Sequence, residues 1–132
     1  MNPYFEQMIL SASPLELVCL MYDQAIASVR EALAQLQRKN VTGRSKAIMR
    51  AYGILTELIS ALRPAEAPEI AAQLRRLYLY LQGILLKANG EQTEAPLIEA
   101  LTLLSTLSEG WKQVEAWKQV PDANRRELTA AA

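Results

Sequence analysis

The chain has 132 residues, 51% of them hydrophobic and 21% charged, and its 14 basic and 14 acidic side chains cancel. That size suits one domain, able to bury roughly two-thirds of its unfolded surface without disulfide or metal, and the composition is too apolar for a disordered chain. A zero balance gives no net pull towards nucleic acid or an anionic membrane.

Cys19 is the single cysteine, so no internal disulfide can form, which suits a reducing compartment. Set between Val18 and Leu20, it reads as a small buried hydrophobe. No Lys or Arg precedes Arg30, so a secretory leader is not expected. The longest apolar stretch, Leu77 to Leu86, is closed by Arg76 and Lys87 and falls well short of the about 20 residues that cross a bilayer. A cytoplasmic protein without membrane insertion is the expectation.

Four segments of helical period follow one another. The first opens at Ser13-Pro14-Leu15-Glu16, a capping box with proline at the first helical position. Its apolar stripe is Leu15, Val18, Cys19, Tyr22, Ile26, Val29, Leu33 and Leu36, in steps of three and four. Arg38, Lys39 and Asn40 favour its end, and Val41-Thr42-Gly43 reads as a break. The second begins near Gly43 to Ser45, carries Ala47, Ile48, Ala51, Leu55, Leu58, Ile59 and Leu62, and stops at Arg63-Pro64. The third begins at Pro68-Glu69 with Ile70, Leu74, Leu77, Tyr78, Leu81, Ile84, Leu85 and Ala88, and Asn89-Gly90 reads as its stop because both tolerate positive φ. The fourth opens near Thr93 and carries Leu97, Ile98, Leu101, Leu104, Leu107, Trp111 and Val114, with Pro121 at or just beyond its end. No segment alternates as a strand does. Short links between similar helices predict an all-α, antiparallel up-down four-helix bundle. Residues 1–12 read as a mobile N-terminal arm, 13–120 as the bundle and 121–132 as a tail.

The chain has no histidine, which removes the usual general base and the Ser-His-Asp triad. A di-iron bundle needs Glu-x-x-His motifs, and phosphate- and dinucleotide-binding glycine motifs are missing too. The carboxylates lie mostly off the apolar stripes and read as solvated helix faces. The expectation is a non-enzyme without cofactor or metal. Arg38, Lys39, Arg44, Lys46 and Arg50 cluster at the second helix, but without a broader basic excess they read as a solvated face completing the dipole of the first helix.

Apolar residues exceed what one stripe per helix needs. Leu79 and Leu86 fall almost opposite the core stripe of the third helix, and Tyr80 falls on its flank. Leu17, Leu20 and Met21 lie outside the stripe of the first helix, Leu103 and Trp117 widen that of the fourth, and the second has a broad apolar arc from Ile54 to Tyr52. Adjacent apolar residues of this kind mark either a groove for another polypeptide or a non-catalytic homo-oligomeric module that buries the surface against itself. The state expected is monomer or weak homodimer. The arm (Pro3, Tyr4, Phe5, Met8, Ile9, Leu10) could cover a groove as a lid or dock a neighbour.

The order of landmarks resembles the FliS family of flagellin export chaperones over about Asn2 to Val120. They are Asn2-Pro3-Tyr4; Ser11-Ala12-Ser13-Pro14, Leu17 and Leu20-Met21-Tyr22-Asp23-Gln24-Ala25-Ile26; and Ala51 followed by Ile54-Leu55-Thr56-Glu57-Leu58. Then come Leu77-Tyr78-Leu79-Tyr80-Leu81, Ala88-Asn89 and Gly110-Trp111-Lys112. The chain departs from the family's pattern at Leu79, where an acidic residue is usual, and in the Arg63-to-Pro68 loop. The resemblance implies a cytoplasmic four-helix chaperone that binds the disordered C-terminal segment of flagellin, blocks premature polymerisation and keeps the subunit competent for type III flagellar export. It also implies docking on the export gate protein FlhA and, as in some relatives, contact with FliW or FlgM. The client surface expected on that basis combines Ile48, Tyr52, Leu55, Ile59, Tyr78, Tyr80 and Leu81, with Tyr4 and Met8 in the lid. Tyr22, Glu57, Asn89 and Trp111 resemble signature positions and are expected to be structural.

Overall fold

In the computed structural model, which describes residues 13–118, 120, 121, 123 and 124, four helices follow in the expected order. They are α1 (Pro14–Gln37), α2 (Val41–Ser60), α3 (Pro68–Glu91) and α4 (Ala95–Lys118). The described residues contain no strand. The arm, with Tyr4 and Met8, lies outside the described residues. α1 packs on α2 and α4, and α3 packs on α2 and α4. α1 and α3 therefore face each other across the bundle diagonal, as in an up-down bundle with short links.

The start of α1 is where the sequence placed it. Ser13 Oγ accepts the Glu16 amide at 3.2 Å. The return bond from Glu16 is not formed, so the capping box is half made. The α1–α2 link is tighter than expected. Lys39 takes φ 59°, its N–H reaches the Leu36 carbonyl, and the Asn40 N–H reaches that of Gln35. This is the double bond of a Schellman turn, with lysine in the position that usually favours glycine. Asn40 then caps α2, its Oδ1 accepting the Gly43 amide at 3.0 Å. Val41-Thr42-Gly43 is therefore the first turn of α2, not a break. A Cβ at Gly43 would sit 2.9 Å from Asn40 Nδ2 and 3.0 Å from the Gln35 side chain, contacts with the ends of two flexible side chains that can shift aside.

The end of α3 also differs from the sequence reading. The helix runs through Asn89-Gly90 to Glu91, and Gln92 adopts the left-handed conformation, with its N–H on the Ala88 carbonyl. Asn89 does not stop the helix because its side chain is already engaged by α2.

The core draws on all four helices. Tyr22, Ala25, Val29 and Ala32 of α1, Ala47, Ile48, Ala51 and Leu55 of α2, Tyr78, Leu81, Leu85 and Ala88 of α3, and Leu97, Ala100 and Leu104 of α4 are almost fully buried. Four of the α1 and α2 members facing each other across this core are alanines (Ala25, Ala32, Ala47, Ala51), which lets those two backbones approach closely. Three residues placed on the core stripes are instead exposed: Ile70, Ile98 and Val114. Ile70 lies in the first turn of α3, where α2 has already ended. Ile98 is turned out because Leu97 and Ala100 take the inward direction, and Val114 sits on the flank of the last turns of α4.

Gly53 is exposed inside α2, and a Cβ there would meet nothing within 4 Å. Replacing it by alanine removes backbone freedom from the unfolded chain without a clash. We expect Gly53→Ala to stabilise the bundle by about 1 kcal/mol, read as a higher urea midpoint at unchanged slope.

Candidate functional site

Helical geometry divides the outer surface into unlike faces. The α1–α4 seam holds a mostly polar cleft lined by Asp23, Ile26, Arg30, Ser105, Ser108, Glu109 and Lys112. Asp23 and Lys112 pair there at 3.1 Å, about half exposed, a contact worth little. The α2–α3 seam is apolar where the helices meet their loop. Ile59, Leu62, Pro64, Pro68, Ala71, Ala72 and Arg75 line a groove there. Farther along, Met49 is exposed on α2, and Leu79 and Leu86 on α3.

The seven residues expected to form the client surface do not share one face. Ile48, Leu55, Tyr78 and Leu81 are interior. Tyr52 and Ile59 are half-buried on α2, and Ile59 belongs to the apolar groove. Tyr80 is exposed on the opposite flank of α3, where its hydroxyl donates to the Glu99 carboxylate of α4. That carboxylate also holds the Tyr80 phenol above its usual pKa. The surface residues among the seven thus border two different seams, one on each side of α3.

Two polar clusters fasten the scaffold beneath these seams. In the first, the Tyr22 and Tyr78 hydroxyl oxygens are 2.6 Å apart across the bundle diagonal. The Trp111 indole N–H donates to Tyr22 Oη at 3.1 Å, so one oxygen ties α1, α3 and α4 together. The two tyrosine rings are tilted by 55° with centroids 6.4 Å apart. Burial pushes both phenol pKa values up, and for Tyr22 the bond to Tyr78 adds to the rise. In the second cluster, the buried Arg44 guanidinium donates from Nε to Asn89 Oδ1 at 3.3 Å and from Nη2 to the Asn89 carbonyl at 3.2 Å. Ser45 Oγ donates to the same Oδ1 at 2.9 Å. Arg44 therefore sits on the last turn of α3 and completes a helix end that has no basic residue of its own. This corrects the reading of the basic cluster as one solvated face. Arg38, Lys39, Lys46 and Arg50 are exposed, but Arg44 is an interior clamp.

Gln82 was not anticipated. It is buried, and its Nε2 donates to the Tyr52 carbonyl at 3.1 Å and to Thr56 Oγ1 at 2.9 Å. A lone amide one turn after Tyr78, on the flank facing α2, was the signal available in the sequence. Cys19 is buried as expected. Burial raises its pKa, and the Glu115 carboxylate raises it further, so the thiol stays protonated and unreactive at neutral pH. Among the described residues no group of three or more His, Cys, Asp or Glu side chains could hold a metal, and no described helix is long and apolar enough to cross a membrane.

The described residues thus form an all-helical bundle with polar interior fasteners and an apolar groove left open at the α2–α3 loop. The family model for the flagellar protein FliS matches residues 1–119. The chain belongs to the FliS family of flagellar secretion chaperones. Over 110 residues it is 32% identical to the flagellar secretion chaperone FliS of Salmonella typhimurium, covering 83% of this chain and 82% of that one. It is 28% identical to the flagellar secretion chaperone FliSB of Pseudomonas aeruginosa, over 80% and 84% of the two chains. The Campylobacter jejuni FliS is 26% identical, over 86% and 88%.

Proposed function

We propose that this chain is a cytoplasmic, non-enzymatic export chaperone that binds the C-terminal segment of flagellin, prevents its premature polymerisation and holds it ready for type III flagellar export. The observation that carries the reading is the open apolar groove at the α2–α3 loop, with Ile59 in its wall, in a chain of the flagellar secretion chaperone family. A client helix laid there would bury an apolar face against Ile59, Leu62 and Ala71. Reaching Tyr80 as well requires the client to cross α3, so it wraps rather than docks at one point. Wrapping suits a segment that is disordered when free, since ordering offsets much of the burial energy and a long interface is needed. The four interior members of the expected surface, Ile48, Leu55, Tyr78 and Leu81, then shape the seams from below. Residues 1–12, with Tyr4 and Met8, would act as a lid on the client groove. The loaded chaperone would dock on the export gate protein FlhA, and FliW or FlgM are further partners of the same class.

A synthetic flagellin C-terminal segment is expected to bind and gain helicity, read by titration calorimetry with circular dichroism. Ile59→Asp places a charge in the groove and should weaken binding by about tenfold or more, the equivalent of roughly 1.4 kcal/mol. Deleting residues 1–12 should change client affinity more than bundle stability. Absence of both heat and spectral change at concentrations on the order of tens of micromolar would sink the proposal.

A further inference from the structure

The α1–α2 and α3–α4 links lie at one end of the bundle and border a cleft of about 520 Å³. Leu36 and Val41 give it an aliphatic side, and Lys39, Arg44 and Glu94 bring charge. The cleft lies at the start of α2, roughly 27 Å along that helix from Ile59 and the apolar groove.

Arg44 is only 4% exposed, yet it makes no ion pair among the described residues. A guanidinium carries five N–H donors. Asn89 takes one from Nε and one from Nη2, and Nη1 has no hydrogen-bond partner. Among the described residues no fully buried side-chain nitrogen or oxygen lacks a hydrogen bond. Nη1 is therefore not sealed in the interior and opens onto the cleft that Arg44 lines. A nearly buried cation met only by neutral acceptors retains much of its desolvation cost, which an anion at Nη1 would offset.

Lys39 adds a second cation. It is exposed, and it too has no ion pair among the described residues. Two cations against Glu94 leave the cleft net positive. The aliphatic side narrows the ligand further. Val41 is 52% exposed and Leu36 half-buried. A bare inorganic anion would leave both in water, whereas a carboxylate carried beside an aliphatic side chain would cover them. The two oxygens of a carboxylate can accept from Arg44 Nη1 and from Lys39 Nζ together.

We propose that this cleft is a carboxylate-binding site for a polypeptide. Arg44 Nη1 and Lys39 hold the acid, Leu36 and Val41 take the neighbouring aliphatic side chain, and Glu94 limits the affinity by repulsion. The carboxylate comes from a chain end or from an acidic side chain.

Amide-resolved NMR titration of the full chain at low salt tests this with three short acetylated probes. They are glycyl-leucine as the free acid, the same peptide as the C-terminal amide, and glutamyl-leucine as the amide. The free acid or the glutamyl amide is expected to shift the amides of Lys39, Val41 and Arg44, with an affinity on the order of millimolar that falls as salt is added. The probe that binds identifies the source of the carboxylate. The uncharged glycyl-leucine amide should leave those signals in place. Lys39→Glu should weaken binding by about tenfold and Glu94→Gln should tighten it by about threefold. Both residues are exposed, so these variants keep the test sound even if Arg44→Met, expected to abolish binding, also loosens the fold. No shift by either acid up to about 20 mM overturns the proposal. So does an equal response to the uncharged amide, or an affinity indifferent to both Lys39→Glu and Glu94→Gln. Because no flagellin segment is used, failure leaves the chaperone reading untouched.

Discussion

Replacing Tyr22 by alanine should destabilise the bundle by about 3–5 kcal/mol. Tyr22 is completely buried, so its loss opens a cavity where α1, α3 and α4 converge. The same change strands the Trp111 indole N–H and the Tyr78 hydroxyl, which both meet at the Tyr22 oxygen. Tyr22→Phe separates the two effects, because it keeps the ring and removes only the oxygen. It should cost about 1–3 kcal/mol, the range for leaving buried polar groups unsatisfied. Urea denaturation with the Trp111 environment followed by fluorescence measures both. Equal losses for the two variants would mean that the oxygen, not the packing, carries the stability. The same site governs alkaline behaviour. Burial holds both phenols above the value of about 10 of an unfolded tyrosine. The unfolded chain therefore releases its protons first. Stability from this source is fully present below about pH 10 and is lost as the pH rises towards the folded-state values. The Tyr22→Phe variant should show a shallower alkaline loss than the parent chain.

Replacing Asn89 by alanine should cost about 2–4 kcal/mol, since it leaves a buried guanidinium without one of its two acceptors. Arg44 is 4% exposed and makes no ion pair among the described residues. Its charge is accommodated by the Asn89 side chain and by the last turn of α3. Arg44→Met should cost less than Asn89→Ala, because it removes the charge along with the bond. Combining Arg44→Met with Asn89→Leu should recover part of the loss, as apolar pairs of similar volume replace buried polar pairs at little cost. A double-mutant cycle by urea denaturation gives the coupling directly. A coupling near zero would mean that Arg44 reaches solvent once Asn89 is gone.

Both clusters lie away from the apolar groove that we propose for the client. Tyr22, Tyr78 and Trp111 join α1, α3 and α4, and Arg44 and Asn89 join the start of α2 to the end of α3. With α3 held at its middle by Tyr78 and near its end by Asn89, its surfaces towards α2, towards α4 and towards solvent keep a fixed relation. A wrapped client needs that rigidity, since a scaffold that must itself be ordered would lose binding energy to the ordering.

Periodicity was enough for the architecture. Steps of three and four placed Tyr22, Val29, Leu55, Leu81 and Leu104 in the core, because a buried stripe leaves a repeating mark on the chain. Leu79 and Leu86 were legible as outward-facing for the same reason. Helix ends were less so. Gly43 and Asn89-Gly90 carry the residue types of breaks, yet each is helical, Gly43 in the first turn that Asn40 caps and Asn89 with its side chain bound from α2. The tertiary structure alone decided how distant polar residues pair: Tyr22 with Tyr78 and Trp111, Arg44 with Asn89, Gln82 with Tyr52 and Thr56. Nothing local encodes such pairs, since each partner lies on another helix and the register between helices sets the distance. It also split the expected client surface, because Tyr52 and Tyr80 read alike as apolar flanks while α3 stands between them. A hydrophobic pattern records which residues leave water; which neighbours they meet there follows from the packing.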